Sequence, residues 1–475
     1  MSRSTRRKFL KTSVAAGVVT LAGTKSSGKV LGANDAIRVG IAGLNGRGDS
    51  HLKELARING VEITCLIDPD QHVLERQAKQ AESLTGRRPK TIKDIRQALD
   101  DQQLDVVTVA TPNHWHTLIT VWACQAGKDV YVEKPCSHNV REGRIAVDTA
   151  RKNNRIVQHG TQSRSDIAWA GAVDFVKSGK AGKLQVARGL VYKPRKSIGF
   201  QKPETPPEYL DFNLWLGPAP EQPYHKNLVP YNWHWFWDTG NGDIGNQGVH
   251  QMDIARWGLG GTLPKSVIGL GGRFGYEDQG QTANTQIAVF DYGDAQLIFE
   301  VRGLPTDNYP HTGGGSDNVF HCEGGLVTRS HFYPKGSDQG EPIPSAPVGP
   351  GGGHFANFIT AVRSRSQSEL NADILEGHYS SALCHLANIS YRLGEKVPFN
   401  PQTKAFGDNK DAYETLARME EHLTKNGLNL DGEKYLLGRQ LALDIQREVF
   451  VGDEEANRML SREYRAPFVV PDKVA

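Results

Sequence analysis

The stretch from Arg38 to Asp68, RVGIAGLNGRGDSHLKELARINGVEITCLID, constrains the fold more than any other part of the chain. Residues 38–42 are a short apolar run that predicts a strand, Gly43-Leu44-Asn45-Gly46-Arg47-Gly48 is a tight glycine-rich turn, 50–58 carry helical spacing, and 61–67 are a second apolar run ending at Asp68. Strand, glycine turn, helix and strand in that order make a βαβ unit, in which the turn and the helix N-terminus hold a pyrophosphate. Asn45 stands where the middle glycine of such turns is usual, and Asn tolerates positive φ better than most residues with a side chain. An acid closing the second strand accepts hydrogen bonds from a ribose 2′-hydroxyl and repels a 2′-phosphate, so Asp68 favours NAD over NADP.

Residues 1–33 read as a leader rather than as fold. Thr5-Arg6-Arg7-Lys8-Phe9-Leu10-Lys11 is followed by a mildly apolar run over 14–23, the order of a charged region and a hydrophobic region. The pair of arginines with Phe-Leu after them resembles a twin-arginine export signal, which implies the twin-arginine export machinery as a partner and a periplasmic address. Cleavage between Ala33 and Ala36 and retention as a membrane anchor both fit.

The remaining composition belongs to a globular enzyme. A chain of 475 residues, 38% hydrophobic and 23% charged, has room for two domains and a substantial core. Its net charge of +3 comes without the clustered basic stripe that nucleic-acid binding needs. The five cysteines are widely spaced, with no pair at metal-ligand spacing, and Cys65 and Cys124 lie in apolar stretches as buried thiols. His114 and His116 have no third ligand placed with them, so no metal is expected.

Strand-like and helix-like segments alternate to about residue 155, with further strands at 104–110 and 128–133 and helices at 70–82, 92–99, 117–126 and 141–153. That pattern predicts an α/β, doubly wound parallel sheet over residues 34–155. Longer strands follow at 183–192, 265–271, 286–292, 295–301 and 318–323, and predict a second, α+β domain over 156–400 built on a large open antiparallel sheet. Residues 335–353 are a Pro- and Gly-rich loop, helical spacing returns at 354–363 and 372–393, and 401–475 read as a mostly helical C-terminal extension.

Three motifs fall in order along this framework. Ala110-Thr111-Pro112-Asn113-His114-Trp115-His116 follows one strand, Tyr131-Val132-Glu133-Lys134-Pro135 ends the next, and Gly240-Asn241-Gly242-Asp243-Ile244-Gly245-Asn246-Gln247-Gly248-Val249-His250-Gln251-Met252-Asp253 opens a helix in the second domain. Ligands of open α/β sheets gather beyond the carboxyl ends of the strands, so the first two segments point at the nicotinamide end of the cofactor. With these residues the chain resembles, over about 36–400, the Gfo/Idh/MocA family of nicotinamide-dependent sugar and polyol oxidoreductases, including its secreted sugar oxidoreductases. The resemblance implies a Rossmann cofactor domain, a homo-oligomer formed through the open sheet, and Lys134 as the catalytic lysine, with the Lys134–Pro135 bond commonly cis. His250 matches the catalytic histidine. Asn246 stands where the family often has an Asp four residues before that histidine; it can hydrogen-bond an imidazole or a substrate hydroxyl but brings no charge to raise the histidine's pKa. Asp253 closes the motif, in either a structural or a catalytic role.

The cofactor-contacting set is thus Gly43, Asn45, Gly46, Arg47, Gly48, Asp68, Thr111, Pro112, Asn113, His116, Glu133, Lys134 and Gln162, around tightly held NAD. The substrate-contacting set is Lys134, Arg164, Trp235, Asn246 and His250. Trp235 lies in the dense aromatic run Tyr231-Asn232-Trp233-His234-Trp235-Phe236-Trp237, which suits either a sugar's C–H face or a core contact. Oxidising a secondary alcohol needs a hydride acceptor, a base for the hydroxyl proton and a cation for the developing alkoxide; His250 and Lys134 supply the last two. Three readings stay open: a sugar or polyol oxidoreductase, a glycosidase or lyase that uses NAD for transient oxidation and elimination, and a non-catalytic ligand-binding homologue.

Overall fold

The computed structural model describes residues 36–474, so the twin-arginine leader lies outside the described residues. The first domain carries, in chain order, β1 (Ile37–Ala42), α1 (Arg47–Leu55), β2 (Val61–Ile67), α2 (Gln71–Thr85), β3 (Lys90–Ile92), α3 (Ile95–Leu99), β4 (Val106–Val109), α4 (Asn113–Gln125), β5 (Asp129–Val132), α5 (Val140–Lys152) and β6 (Val157–His159). The six strands form one parallel sheet in the order β3-β2-β1-β4-β5-β6. β1, β4 and β5 are apolar and almost fully buried because helices cover both faces, as parallel sheets require. Side-chain caps start several helices: Asp70 accepts from the Val73 amide at α2, and Asn139 from the Glu142 amide at α5. The sheet continues past residue 155, since β6 is its edge strand.

The second domain follows with α6 (Ile167–Lys177), β7 (Leu184–Tyr192), α7 (Phe212–Leu216), α8 (Gly242–Asn246), α9 (Gly248–Leu259), β8 (Ser266–Gly272), β9 (Thr285–Asp291), β10 (Gln296–Arg302), β11 (Ser316–Cys322), β12 (Gly325–Val327), β13 (His331–Pro334), β14 (Glu341–Pro342), α10 (His354–Ser364) and α11 (Ile374–Arg392). Its large sheet is mixed rather than antiparallel throughout, because β7 lies parallel to β10 while its other neighbour, β11, runs antiparallel. Strand alternation predicts which residues face the core but not which strand, a hundred residues on, will be the neighbour. One face packs on α6, α9 and α11 through Val249, Met252, Phe290, Phe299 and Leu383. α10 returns to the first domain, where Phe355, Phe358 and Val362 pack against Val39, Ile41 and Tyr131.

The C-terminal segment departs from the mostly helical expectation. β15 (Glu395–Pro398), α12 (Lys410–Lys425), β16 (Lys434–Leu437), β17 (Leu441–Asp444), β18 (Val449–Phe450) and α13 (Glu454–Arg458) follow one another, and β15, β16 and β17 extend the large sheet. α12 lays Leu416, Met419 and Leu423 across the sheet's second face, against Val186, Ile268, Ile287 and Ile298. Each such side chain contributes about 1.5–3 kcal/mol of burial, so the chain itself covers much of the face expected to meet a second subunit. The last residues then cross back to the first domain, where Phe468 and Val470 pack with Trp115, Leu99 and Ile95. Among the described residues no helix is long and apolar enough to cross a membrane.

Candidate functional site

The site lies beyond the carboxyl ends of β1, β4 and β5. Gly43 (φ 79°) and Gly46 (φ 85°) turn the chain sharply from β1 into α1, whose first turn holds Arg47 and Gly48. Among the described residues no acceptor takes the amides of Asn45, Gly46 and Arg47. The Asp68 carboxylate accepts from the Leu44 amide at 2.9 Å and the Asp70 amide at 3.0 Å, and so braces the glycine turn from the second strand. Burial pushes its pKa up to about 6. Asp70 lies beside it, so two acids face this end of the cleft. Arg76 reaches the turn by donating to the Asn45 side chain at 2.9 Å.

The cleft over this turn is lined by Gly43, Asn45, Asp68, Thr111 and Pro112 from the first domain and by Leu210, Trp215, Pro230 and Trp233 from the segment between β7 and α8. That segment is pinned to the first domain: the Gln71 amide donates to the Tyr209 carbonyl at 2.9 Å, the Asp211 amide donates to the Pro69 carbonyl at 3.0 Å, and the His72 and Tyr209 rings stack at 4.1 Å. The Thr111 hydroxyl, buried at the cleft, has no hydrogen-bond partner. Free turn amides, an unpartnered hydroxyl and paired acids fit a dinucleotide with free ribose hydroxyls.

Asn113–His116 of the TPNHWH motif form the first turn of α4, which starts behind Pro112, four residues before the helix predicted at 117–126. Its side chains are mostly spent on architecture. His116 bridges the Pro135 and Thr111 carbonyls at 2.6 and 2.7 Å, tying the ends of β4 and β5 together, and His114 contacts the Trp215 and Thr239 carbonyls. Asn113 donates to the Asn241 side chain at 3.3 Å. His116 and Asn113 therefore position the cofactor segment from within α4. Among the described residues no group of three or more His, Cys, Asp or Glu is placed to hold a metal.

At the end of β5, Glu133 collects Arg47 at 2.8 Å, His51 at 3.1 Å and Gln162 at 3.1 Å. Its burial would raise the carboxyl, but the His51 hydrogen bond and the Arg47 charge hold it well below the ordinary carboxylate range. Lys134 follows, with a cis Lys134–Pro135 bond, and its Nζ donates to the backbone carbonyl of Asn246 at the end of α8. Burial pushes the ammonium below its ordinary value, against the pull of Glu133 and Asp243. His250, in the first turn of α9, is pushed down to about 3 by burial and by Lys134 beside it, so its imidazole is neutral. Among the described residues nothing hydrogen-bonds that ring, which leaves it free to meet a ligand.

The Asn246 side chain turns to Asp243 at 3.4 Å rather than to His250; its contribution is the carbonyl that holds Lys134. Arg164 is not available to a substrate, because its guanidinium is buried against Asp253 at 2.8 and 3.0 Å and against Glu376 at 3.0 Å. Asp253, which also accepts from Ser380 at 2.7 Å, is thereby structural. In the aromatic run, Trp233 and Phe236 pack in a local core with Trp215 and Tyr224, while Trp235 lies under the Arg195 guanidinium at 5.2 Å. His51, Asp243 and Arg195 were not singled out from the sequence. Arg195 grips Asp243 at 2.6 and 2.8 Å and brings an acid back to within reach of Lys134. Asp243 stands in the GNGDIGNQGVH run, three residues before Asn246, and that spacing on a helical turn was the available signal.

Residues 37–161 match the NAD-binding Rossmann fold of the Gfo/Idh/MocA oxidoreductase family, and residues 192–300 match its C-terminal alpha/beta domain. Both stretches are similar to that family's two domains. An alpha-N-acetylgalactosaminidase of Shewanella oneidensis is 30% identical over 206 residues, covering 38% of this chain and 44% of that one. A glycosyl hydrolase family 109 protein of Shewanella pealeana is 29% identical over 203 residues, with the same coverage of 38% and 44%. The match thus spans less than half the length of these curated relatives. Among solved structures, the WlbA dehydrogenase of Bordetella pertussis in complex with NADH and UDP-GlcNAcA is 18% identical with a TM-score of 0.54, covering 74% of this chain and 96% of that one. A levoglucosan dehydrogenase in complex with NADH is 15% identical with a TM-score of 0.54, covering 85% and 100%. These two establish a shared fold, and the Gfo/Idh/MocA Rossmann domain makes NAD the cofactor.

Proposed function

We propose that this Gfo/Idh/MocA protein is an NAD-dependent enzyme that transfers a hydride between a carbohydrate or polyol carbinol and the nicotinamide. The observation that carries the reading is the meeting of Lys134, at the end of β5, with the free, neutral imidazole of His250 from the other domain. Bound NAD supplies the hydride acceptor. Lys134 stabilises the developing alkoxide, and its ammonium is aimed by the Asn246 carbonyl. His250 takes the hydroxyl proton. Asp243, locked by Arg195, holds the α8 turn and supports the lysine's charge. Leu210, Trp215 and Trp233 on the second-domain side of the cleft would cover the cofactor when it is bound.

A second reading rests on the likeness to family 109 glycosyl hydrolases and on a cleft lined in part from the second domain. In it, NAD stays bound and oxidation at a ring carbon acidifies the neighbouring C–H, so that elimination releases the aglycone before water addition and reduction. Mass spectrometry of protein purified without added cofactor, followed by a panel of sugars, polyols and glycosides scored for both NADH and free sugar, separates the two. NADH in step with product supports net oxidation. Sugar release without net NADH, with solvent deuterium entering beside the oxidised carbon, supports the glycosidase. Neither product from any member, with Lys134 and His250 intact, refutes both. We further propose export through the twin-arginine route; unchanged periplasmic delivery of an Arg6→Lys, Arg7→Lys chain refutes it.

A further inference from the structure

A second cavity, of about 390 Å³, opens where the two domains meet the C-terminal segment and shares none of Lys134, His250 and the glycine turn. Its walls are the start of α5 (His138), the loop before α8 (Trp237, Asn241), α11 (Asn388, Arg392) and the chain around α13 (Arg458, Arg462). The lining sets three arginines, Arg392, Arg458 and Arg462, against two acids, Asp238 and Glu455. Nε and Nη2 of Arg462 are buried without a hydrogen-bond partner, although Nη1 donates to the Asp238 carbonyl at 2.8 Å. His138, only 8% exposed, leaves Nε2 unpartnered. The Arg392 guanidinium lies over the Trp237 ring at 4.9 Å with no acceptor among the described residues.

The acids nearby are already committed. Glu455 pairs with Arg439 at 3.0 Å, and Glu142 accepts from the His138 amide at 2.7 Å, the Tyr464 hydroxyl at 3.0 Å and Asn139 at 3.1 Å. Asp238 faces Arg392 and Glu142 faces Arg462, yet Nε and Nη2 of Arg462 still lack a hydrogen-bond acceptor. Burying guanidinium N–H groups with no acceptor is unfavourable, and planar forks of this kind match the oxygens of phosphate, sulfate and carboxylate groups. The cavity is roomier than a bare oxyanion requires, and Trp237 and the Asn241 and Asn388 amides add surfaces suited to a polar carbon skeleton.

We propose that this cavity binds the oxyanion group of a small metabolite, with Arg462, Arg392 and His138 as its donors. The test uses the full-length, NAD-loaded protein titrated with inorganic phosphate, sulfate and glucuronate, against sodium chloride of equal ionic strength, read by calorimetry and thermal unfolding. Saturable binding of an oxyanion but not of chloride is expected, with affinity falling at least about tenfold in Arg392→Gln and Arg462→Gln. Arg392 makes no hydrogen bond within the described chain, so its variant decides the matter if Arg462→Gln fails to fold. Phosphate binding without glucuronate binding assigns a phosphorylated ligand, and the reverse assigns a uronate-like one. Equal responses to chloride and all three probes, or wild-type affinity in Arg392→Gln, overturns the proposal.

Discussion

Replacing Gly43 by alanine tests how the cofactor turn is built, because the cost can be worked out from neighbouring atoms. Gly43 sits at φ 79°, where an alanine is strained by about 1–2 kcal/mol. Its added Cβ would lie 2.5 Å from the Thr111 nitrogen and 2.6 Å from the Ala110 carbonyl, all backbone atoms that no rotamer change can move. Contact at about 3.5–4 Å would require the β4–α4 connection to retreat by roughly 1 Å, a repacking cost of about 1–3 kcal/mol. The sum of about 2–5 kcal/mol corresponds to a loss of about 30- to 5000-fold in NAD affinity or folding equilibrium. Gly46 is the internal control: its φ is 85°, but an added Cβ meets nothing within 4 Å, so strain alone remains. Calorimetric titration of cofactor-stripped protein with NAD, alongside thermal unfolding, therefore ranks Gly43→Ala well below Gly46→Ala. Unchanged affinity and melting for Gly43→Ala, or greater damage from Gly46→Ala, would refute the reasoning.

Four further outcomes are expected. Burial raises the Asp68 carboxyl to about 6, while a ribose hydroxyl needs the charged form as acceptor, so NAD affinity is full above pH 6 and falls as pH drops through it; titration across that range checks this, and Asp68→Asn should flatten the dependence. Lys134→Ala and His250→Ala should each lower turnover by about 10²–10⁴ with NAD still bound. The lowered Lys134 pKa places the alkaline fall in activity below the ordinary lysine value of 10.5, and Lys134→Arg should move it upward. Leu416→Ala, which empties part of the contact between α12 and the sheet, should cost about 2–5 kcal/mol in denaturant unfolding.

Much of the first domain is legible because each of its elements is local. The β1 to β2 unit, the acid at position 68 and the Glu133-Lys134-Pro135 strand end each announce themselves within a few residues. What the sequence hides is pairing at a distance. The parallel contact of β7 with β10, the return of α10 to the Rossmann sheet and the strap of residues 454–474 depend on surfaces formed only after folding. The same holds for side-chain roles. Arg164 reads as a substrate contact until Asp253, 89 positions later, is seen to neutralise it, and Asn246 acts through its carbonyl, which no residue type advertises. Asp243 restores a charge near Lys134 through a turn of helix rather than at the family's position.

The central claim is that a carbinol hydrogen of the substrate passes to NAD between Lys134 and His250. It is tested most directly by incubating the protein, as purified, with the active sugar, polyol or glycoside deuterated at each carbinol carbon in turn, and examining the bound nicotinamide by mass spectrometry. The account predicts deuterium on the reduced nicotinamide from one carbon alone, and none in Lys134→Ala or His250→Ala within the same time. Turnover of substrate with no deuterium reaching the nicotinamide from any carbon would contradict it.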